Sequence, residues 1–588
     1  MGVIFQVLYR TVVDGKRIVG PITYNRVAQL APTLANIGVT VVQFPPPAKT
    51  QSGAANNADG YGLFDPYDLG SKDQCYSVPT YFGSAEELRR AIAILAAWGI
   101  QSYIDYVFHQ YNGGRNTTYK YLGSDGKTLN GRFPKTPSCF VGAPPRVPVD
   151  SVFDTEGNFA FGDMCSFTHD QPPHYMANGT IANFLWMKKT LGFHGVRLDN
   201  TKGTNVAFTR RLLNEACGGI FTYGECFTGN PAELQRWINL MDGKAATVDF
   251  TLHWALQNMC DSNASMRQMN GAGLAALNPS RAVTFKDNPD TDTSGGQQIV
   301  NNGLLAYAYL LTTEGYPCIY YRDWSSDPHC YGLKNGIDNL IWIHEVLANG
   351  PTTTRFLDNR VFCYERTGYP GLLTAINTDT YNNRKITVQT AFGPHCHLHE
   401  YTGKYEDIWT DGEGKVTFTV PCNAYNRGRS YLCFSRDGQS KQIKLQPFPI
   451  HQTFYGAEDL DIGPAVFGAI SPVAQIYCAG KHTVTIKPAA ASRSLSFWLE
   501  DQSGARVPQA AHGTAFQCFV PTDGMYTLMV SNWGTATVPF QAAVTYLAPK
   551  RLPAAVTAKP EERHVEQHAE IKALVKQREQ TFIDPVVS

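Results

Sequence analysis

Over its first 350 residues the chain alternates short apolar runs with helical patterns, and this rhythm constrains the fold more than any other feature. Residues 3–9, 39–44, 103–107, 195–198 and 220–223 read as strands, rich in β-branched and aromatic side chains. Ser84 with Glu87 forms a capping box that opens a helix. Leu88, Ile92 and Leu95 then recur at helical spacing, and Gly99 stands where a left-handed residue ends it. A second helix over 180–191 is closed by Gly192. Strand–helix units in series make a parallel sheet, and eight of them fit this length. The expected fold class is therefore α/β, a (β/α)8 TIM barrel with an inserted loop-rich subdomain, followed by antiparallel β domains.

The insert is the interval 110–178, where the alternation stops and Gly, Pro, Asn and Asp dominate. A long excursion at one strand end is usually functional. The barrel thus comprises 1–109 and 179–350. Alternating strands such as 385–388 and 415–420 predict an antiparallel β domain over 351–445. A proline-containing joint at 446–449 leads to a further β-sandwich at 455–548, a candidate carbohydrate-binding domain. Residues 549–588 read as a charged helical tail.

Composition narrows the function. A length of 588 residues suits roughly three to five domains of about 150 residues. Fifty basic residues balance fifty acidic ones, a net charge of zero that argues against nucleic acid as the main partner and gives no hint of a polybasic membrane anchor. No stretch of about 20 apolar residues predicts a membrane-spanning helix. Met1-Gly2 runs straight into a strand without a signal-peptide pattern, which reads as a cytoplasmic protein or as a mature terminus. The 14 cysteines show no CxxC pair and so no zinc site, and they leave the compartment open.

Three carboxylates carry the chemistry. Asp199 and Glu225 end the runs 195–199 and 222–225, and Asp290 follows the run from Val283. In a (β/α)8 barrel the strand C-termini share one face, and active sites lie there. Two carboxyls about 5 Å apart suit a retaining glycosidase, one as nucleophile and the other as acid/base. Arg197 lies two residues before Asp199, on the same side of its strand, where a cation lowers the Asp199 pKa.

These residues resemble the α-amylase family of retaining glycosidases, glycoside hydrolase family 13. Asp105-Tyr106-Val107-Phe108-His109 resembles its block DxVxNH, and the run from Gly192 to Lys202 resembles GFRxDxxKH. Gly224-Glu225 is similar to its third block, and Phe285-Lys286-Asp287-Asn288-Pro289-Asp290 to FVxNHD. The segments 45–49 and 60–70 resemble early barrel segments of bacterial liquefying-type α-amylases, and 315–321 resembles the family's eighth strand. The resemblance spans roughly residues 1–440. It implies Asp199 as nucleophile, Glu225 as general acid/base and Asp290 as third carboxylate. It further implies that Arg197 positions Asp199, that His109 and Asp105 line the −1 subsite, that Tyr61 is a stacking platform, and that Lys202 reaches a sugar on the leaving-group side.

Departures from the pattern modify these expectations. Phe108 is read as replacing the Asn that ligates the family calcium, and Phe offers no oxygen to a hard cation. The usual calcium site is therefore expected to be lost, with no cofactor required and no metal ligands assigned. Gly203 stands where a His is common, Pro289 replaces the His before the third carboxylate, and Lys286 replaces a Val. Weaker candidates are the alternating His395, His397 and His399 for a metal, against a solvated strand, and Phe497, Trp498, Tyr526 and Trp533 for a sugar platform, against core packing; the blander reading is preferred for both. Cys226 reads as a core thiol. The expected activity is retaining endo-hydrolysis of α-1,4 bonds in starch, glycogen or maltooligosaccharides. The alternatives are a 4-α-glucanotransferase and a non-catalytic glucan binder. The expected partner is an α-glucan, with no nucleic acid and no membrane, for a monomer. The resemblance implies a secreted protein, and the N-terminus a cytoplasmic one.

Overall fold

The computed structural model describes residues 2–547 apart from 14–15, 21, 56–57, 113–118, 120, 122–129, 142–152, 154–162, 168–172, 263, 293–295, 441–442, 444–448, 456–460, 463–469, 533–537 and 540. The tail read at 549–588, Trp533 and much of the 110–178 insert lie outside the described residues.

Eight strands close the barrel: β1 (Ile4–Gln6), β2 (Val41–Phe44), β3 (Gln101–Tyr106), β4 (Gly195–Leu198), β5 (Phe221–Gly224), β6 (Ala246–Val248), β7 (Ala282–Phe285) and β8 (Tyr316–Tyr320). Each pairs in parallel with its sequence neighbour, and β1 pairs with β8 to complete the ring. Ile4, Val41, Tyr103, Tyr223, Val283, Phe285 and Tyr316 fill the interior as one buried cluster. Around it run α1 (Tyr24–Ile37), α2 (Ala85–Ala97), α3 (Tyr175–Leu191), α4 (Val206–Glu215), α5 (Pro231–Leu240), α6 (Phe250–Asp261), α7 (Gly303–Thr312) and α8 (Lys334–Val346).

The local rules place these helices. At α2 the Ser84 side chain accepts from the Glu87 N–H, and the Glu87 side chain accepts from the Ser84 N–H. Gly99 takes φ 74°, and Gly192 ends α3 at φ 65°. Two elements differ from the reading. α3 begins at Tyr175, because its N-cap His174 is left-handed and makes no side-chain cap that sequence could announce. The strand read over 3–9 is only Ile4–Gln6, after which the chain turns into a hairpin of Arg10–Val13 with Lys16–Val19. That hairpin brings Arg10, buried, to the barrel rim.

The insert leaves the barrel after β3. Gln110–Tyr111 pairs with Asp163–Met164, so its two ends are held together. The following β domain has strands β9 (Thr352–Leu357), β10 (Val361–Arg366), β11 (Leu372–Asn377), β12 (Arg384–Gln389), β13 (His397–Glu400), β14 (Ile408–Trp409), β15 (Lys415–Val420) and β16 (Tyr431–Arg436). They form a six-stranded antiparallel sheet, β9-β10-β11-β16-β13-β14, and a β12–β15 pair. A last sandwich starts at Pro449, earlier than the 455 expected, and combines a five-stranded and a three-stranded sheet. It docks on the barrel: Ala93 and Ala96 of α2 are buried in one cluster with Ile476, Cys478 and Tyr526. Small side chains on that helix face let the sheet approach closely.

Packing at β5 is tight enough to exclude a side chain. A Cβ on Gly224 would lie 2.5 Å from the Trp237 ring and 2.8 Å from Thr201 Oγ1. Overpacking of this kind costs about 1–3 kcal/mol. Gly224→Ala is therefore expected to lower the thermal unfolding midpoint by several degrees, read by calorimetry, and to displace the neighbouring Glu225.

Candidate active site

Strand register builds the site. In the β3–β4 ladder Arg197 is the Cα partner of Asp105, and in the β4–β5 ladder Leu198 is the partner of Gly224. Asp199 and Glu225 are the next residues of β4 and β5, so both carboxyls emerge side by side at the C-terminal rim. The Glu225 N–H donates to Leu198 O at 2.9 Å, and the Asp199 N–H to Tyr106 O at 3.2 Å. The ladders thus continue one residue into the site and fix both carboxylates on rigid backbone.

Arg197 sits among them, buried. Its Nη1 donates to both oxygens of Asp105 at 2.7 and 2.8 Å and to Asp199 Oδ1 at 3.0 Å. Its Nη2 pairs with Glu225 Oε1 at 2.8 Å. Tyr61 joins the group, its hydroxyl donating to Asp105 Oδ2 at 2.7 Å. The site therefore brings together Asp105, Arg197, Asp199, Glu225 and Tyr61. Lys202 lies just outside, donating to the Phe227 carbonyl at 3.0 Å. Phe227 itself is 39% exposed, its ring edge-on to Phe250 and Trp254. This apolar surface lies two residues past Glu225.

Asn200 is a hub that the sequence reading passed over. Its backbone is left-handed at φ 41°, immediately after Asp199. That turn aims its N–H at Glu225 Oε2, 3.1 Å away. The side-chain oxygen accepts from Gly203 N at 3.2 Å, and the side-chain nitrogen lies 3.1 Å from His109 Nε2. Non-glycine residues in this backbone region cluster at functional sites.

The third carboxylate is carried by the loop after β7. Asn288 Oδ1 accepts from the N–H groups of Asp290 and Thr291, each at 2.9 Å. Asp287 accepts from Thr291 Oγ1 and the Ile299 N–H. Lys286, unexplained in sequence, turns away from the cleft to bridge Asp287 and Asp323, and Asp323 also accepts from Tyr307. Burial works against the Lys286 charge, but Asp323 and Asp287 outweigh it and hold its pKa above the ordinary lysine value. Asp323 is pushed up to about 6 by burial. The loop is thus pinned from below. Asp290 is 47% exposed at its side chain and accepts from Arg10 Nη1 at 2.6 Å.

The electrostatics correct one expectation. Burial pushes the Asp199 carboxyl well above the usual carboxylate range; Arg197 pulls it down, and Glu225, Asp105 and Asp290 push it up again. Asp105 is likewise raised by burial, against Arg197 and Tyr61. One guanidinium shared among three carboxylates does not hold Asp199 low, as the sequence reading had it. Burial lowers the His109 pKa to about 3, so its ring stays neutral.

A second correction concerns register at the end of β3. The family block DxVxNH has six positions, and the six residues from Asp105 end at Gln110, not His109. His109 then occupies the Asn position and Gln110 the His position, and Phe108 replaces neither. The geometry agrees. Phe108 is buried among Tyr106, Phe167 and Phe208, with ring centroids 5.6–6.4 Å away. Gln110 Nε2 donates to Tyr61 O at 3.1 Å. His109 reaches Asn200 behind Glu225.

The weaker candidates separate. His397 and His399 sit on β13, where His397 lies 3.1 Å from both Asp407 and Asp437 and His399 lies 2.8 Å from Asp407. His395 precedes the strand at φ 52°. Both ring nitrogens of His397 face carboxylates, and His397, Asp407 and Asp437 bring three possible ligand atoms within 4.8 Å of one another. Phe497, Trp498 and Tyr526 are buried, which makes them core residues of the last sandwich. Cys226 is buried, and burial pushes its thiol up to about 12, far from a thiolate.

No family model matches the chain. Among curated proteins, a glucan 1,4-α-maltohexaosidase from Bacillus sp. (strain 707) is 27% identical over 482 residues, covering 71% of this chain and 88% of that protein. An α-amylase from Geobacillus stearothermophilus is 27% identical over 389 residues, covering 57% of this chain and 70% of that protein. Among solved structures, an α-amylase from Malbranchea cinnamomea superposes with a TM-score of 0.54 at 18% identity, over 74% of this chain and 97% of that one. The structural likeness shows the fold, and the sequence likeness carries the resemblance to the α-amylase family.

The raised Asp199 has a consequence for pH. A carboxyl whose folded pKa lies above its unfolded value, about 3.9, favours the folded state below that value and opposes it as pH rises through the folded pKa. Asp199→Asn is therefore expected to raise stability at pH 7 by about 1 kcal/mol while abolishing catalysis. The gain is expected to shrink on acidification, as read by thermal melts across pH. The acid limb of the wild-type activity profile is expected above pH ~4.

Proposed function

We propose that this chain, a relative of the α-amylases, is a retaining glycoside hydrolase that cleaves internal α-1,4 bonds of starch, glycogen and maltooligosaccharides. The observation that carries the reading is the register of β3, β4 and β5, which sets Asp199 and Glu225 side by side around one shared guanidinium.

With a glucan across the rim, Glu225 gives up Arg197 and delivers a proton to the glycosidic oxygen as that bond breaks. Asp199 attacks the anomeric carbon from the opposite face and forms a glycosyl-enzyme. Glu225, now ionised, takes a proton from water, whose oxygen displaces Asp199 and restores the starting configuration. Asn200 N–H holds Glu225 while it alternates between the two roles. Arg197 stabilises Asp199 as the leaving group of the second step. Asp290 binds hydroxyls of the sugar undergoing cleavage, and Tyr61 stacks on its ring. Phe227 and Lys202 face the leaving-group side.

The residues at the family calcium position do not suit that ion. Calcium takes six to eight oxygen ligands. Here the position holds the His109 ring, Asn200 Oδ1 is engaged by Gly203, and the His109 carbonyl accepts from Cys165 N at 2.8 Å. We infer an enzyme whose activity does not require calcium. All 14 cysteines are free thiols, 10 of them buried, which suits a reducing compartment and favours the cytoplasmic alternative.

The test is reducing-sugar release from soluble starch. Wild type is expected to be active with or without a chelator. Glu225→Gln is expected to lose at least ~1,000-fold in kcat while retaining glucan binding. Longer oligosaccharides appearing from maltohexaose would instead indicate glucanotransfer. Loss of activity on chelation would contradict the calcium inference.

A further inference from the structure

The guanidinium at Arg197 has a counterpart near the Tyr61 ring. Arg10, delivered by the hairpin after β1, is 6% exposed at its side chain. Its Nη1 donates to Asp290 at 2.6 Å, and its Nη2 pairs with Asp59 at 3.0 Å. Its guanidinium carbon lies 4.7 Å from the centroid of the Tyr61 ring, while that of Arg197 lies 5.9 Å away. Tyr61 thus lies near two guanidinium groups, with its hydroxyl on Asp105. Its N–H also donates to Asp59 Oδ1 at 3.2 Å, so Arg10 and Tyr61 share that carboxylate.

We propose that Arg10 is a positioning residue that sets Asp290 and the Tyr61 ring against the sugar being cleaved. The inference rests on the glycosidase reading given above. Pro289 brings no hydrogen-bond donor beside Asp290, and its loop leaves that carboxylate half exposed. An exposed Asp in such a loop samples several rotamers; a buried, fixed guanidinium selects one of them. Arg10 is suited to this because its backbone is anchored. Its N–H lies 3.4 Å from the Tyr320 hydroxyl at the end of β8, and Tyr320 in turn donates to Asp292, two residues beyond Asp290. A fork-shaped cation holds two carboxylates at once, which a lysine, with a single nitrogen, does less well. Arg10 engages Asp290 through one oxygen only, so the other remains available to a sugar hydroxyl.

The test is steady-state kinetics on maltohexaose for Arg10→Ala, Arg10→Lys, Asp290→Asn and the Arg10→Ala/Asp290→Asn pair, each checked by thermal melting. Misplacing a catalytic carboxylate costs about 100-fold, so Arg10→Ala is expected to lower kcat by that order with KM changed less than about 3-fold. Arg10→Lys is expected to recover part of the loss. In the Asp290→Asn background, Arg10→Ala is expected to cost less than about 3-fold more, since coupled residues are not additive. Wild-type kcat in Arg10→Ala overturns the inference, as do losses that multiply in the double variant, the mark of a merely structural role. Should Arg10→Ala fail to fold, the same cycle is read with Arg10→Lys. An inactive wild type would overturn the glycosidase reading itself, whereas an active wild type indifferent to Arg10 overturns only this inference.

Discussion

One buried guanidinium organises the rim of this barrel. Arg197 spends its donors on Asp105, Asp199 and Glu225, which come from three adjacent strands. Removing it would leave three largely buried carboxylates together, where like charges repel strongly. The arrangement is possible only because the β3–β4–β5 register aligns Asp105 with Arg197 and Leu198 with Gly224. That register in turn depends on Gly195 and Gly224, where a Cβ would strike Tyr103 or Trp237. Close packing beneath the rim and charge balance above it are therefore one constraint seen from two sides.

That balance is incomplete by design of the sequence. One positive charge faces three negative ones, so burial and mutual repulsion raise Asp199 and Asp105. The same pattern recurs at Arg10, which faces Asp59 and Asp290. Both guanidinium–carboxylate groups lie near Tyr61.

Much of this was legible from residues close together in the chain. The capping box at Ser84, the strands at 195–198 and 415–420, and the closed barrel follow from local pattern and from repetition of βα units. Asp199 and Glu225 were legible because each ends a short strand-like run, and Arg197 because it lies two residues before Asp199. Arg10 was not, since a lone Arg after an apolar run reads as a solvated side chain, and its partner Asp290 is 280 residues away. Asn200 was missed because its role lies in a left-handed backbone that no neighbouring residue announces. At the end of β3 the six-position block runs from Asp105 to Gln110, and the side-chain directions of Phe108, His109 and Gln110 agree with that count. In the last sandwich the aromatics left core packing and a sugar platform open, with core packing favoured, and the burial of Phe497, Trp498 and Tyr526 agrees with core packing.

The central claim is that Asp199 becomes covalently bonded to the sugar. It is tested most directly by treating Glu225→Gln with α-maltosyl fluoride, whose fluoride leaves without acid assistance, and mapping the trapped adduct by peptide mass spectrometry. The account predicts a maltosyl unit on the peptide carrying Asp199. A sugar attached to another carboxylate, or turnover giving the inverted anomer with no adduct, would contradict it.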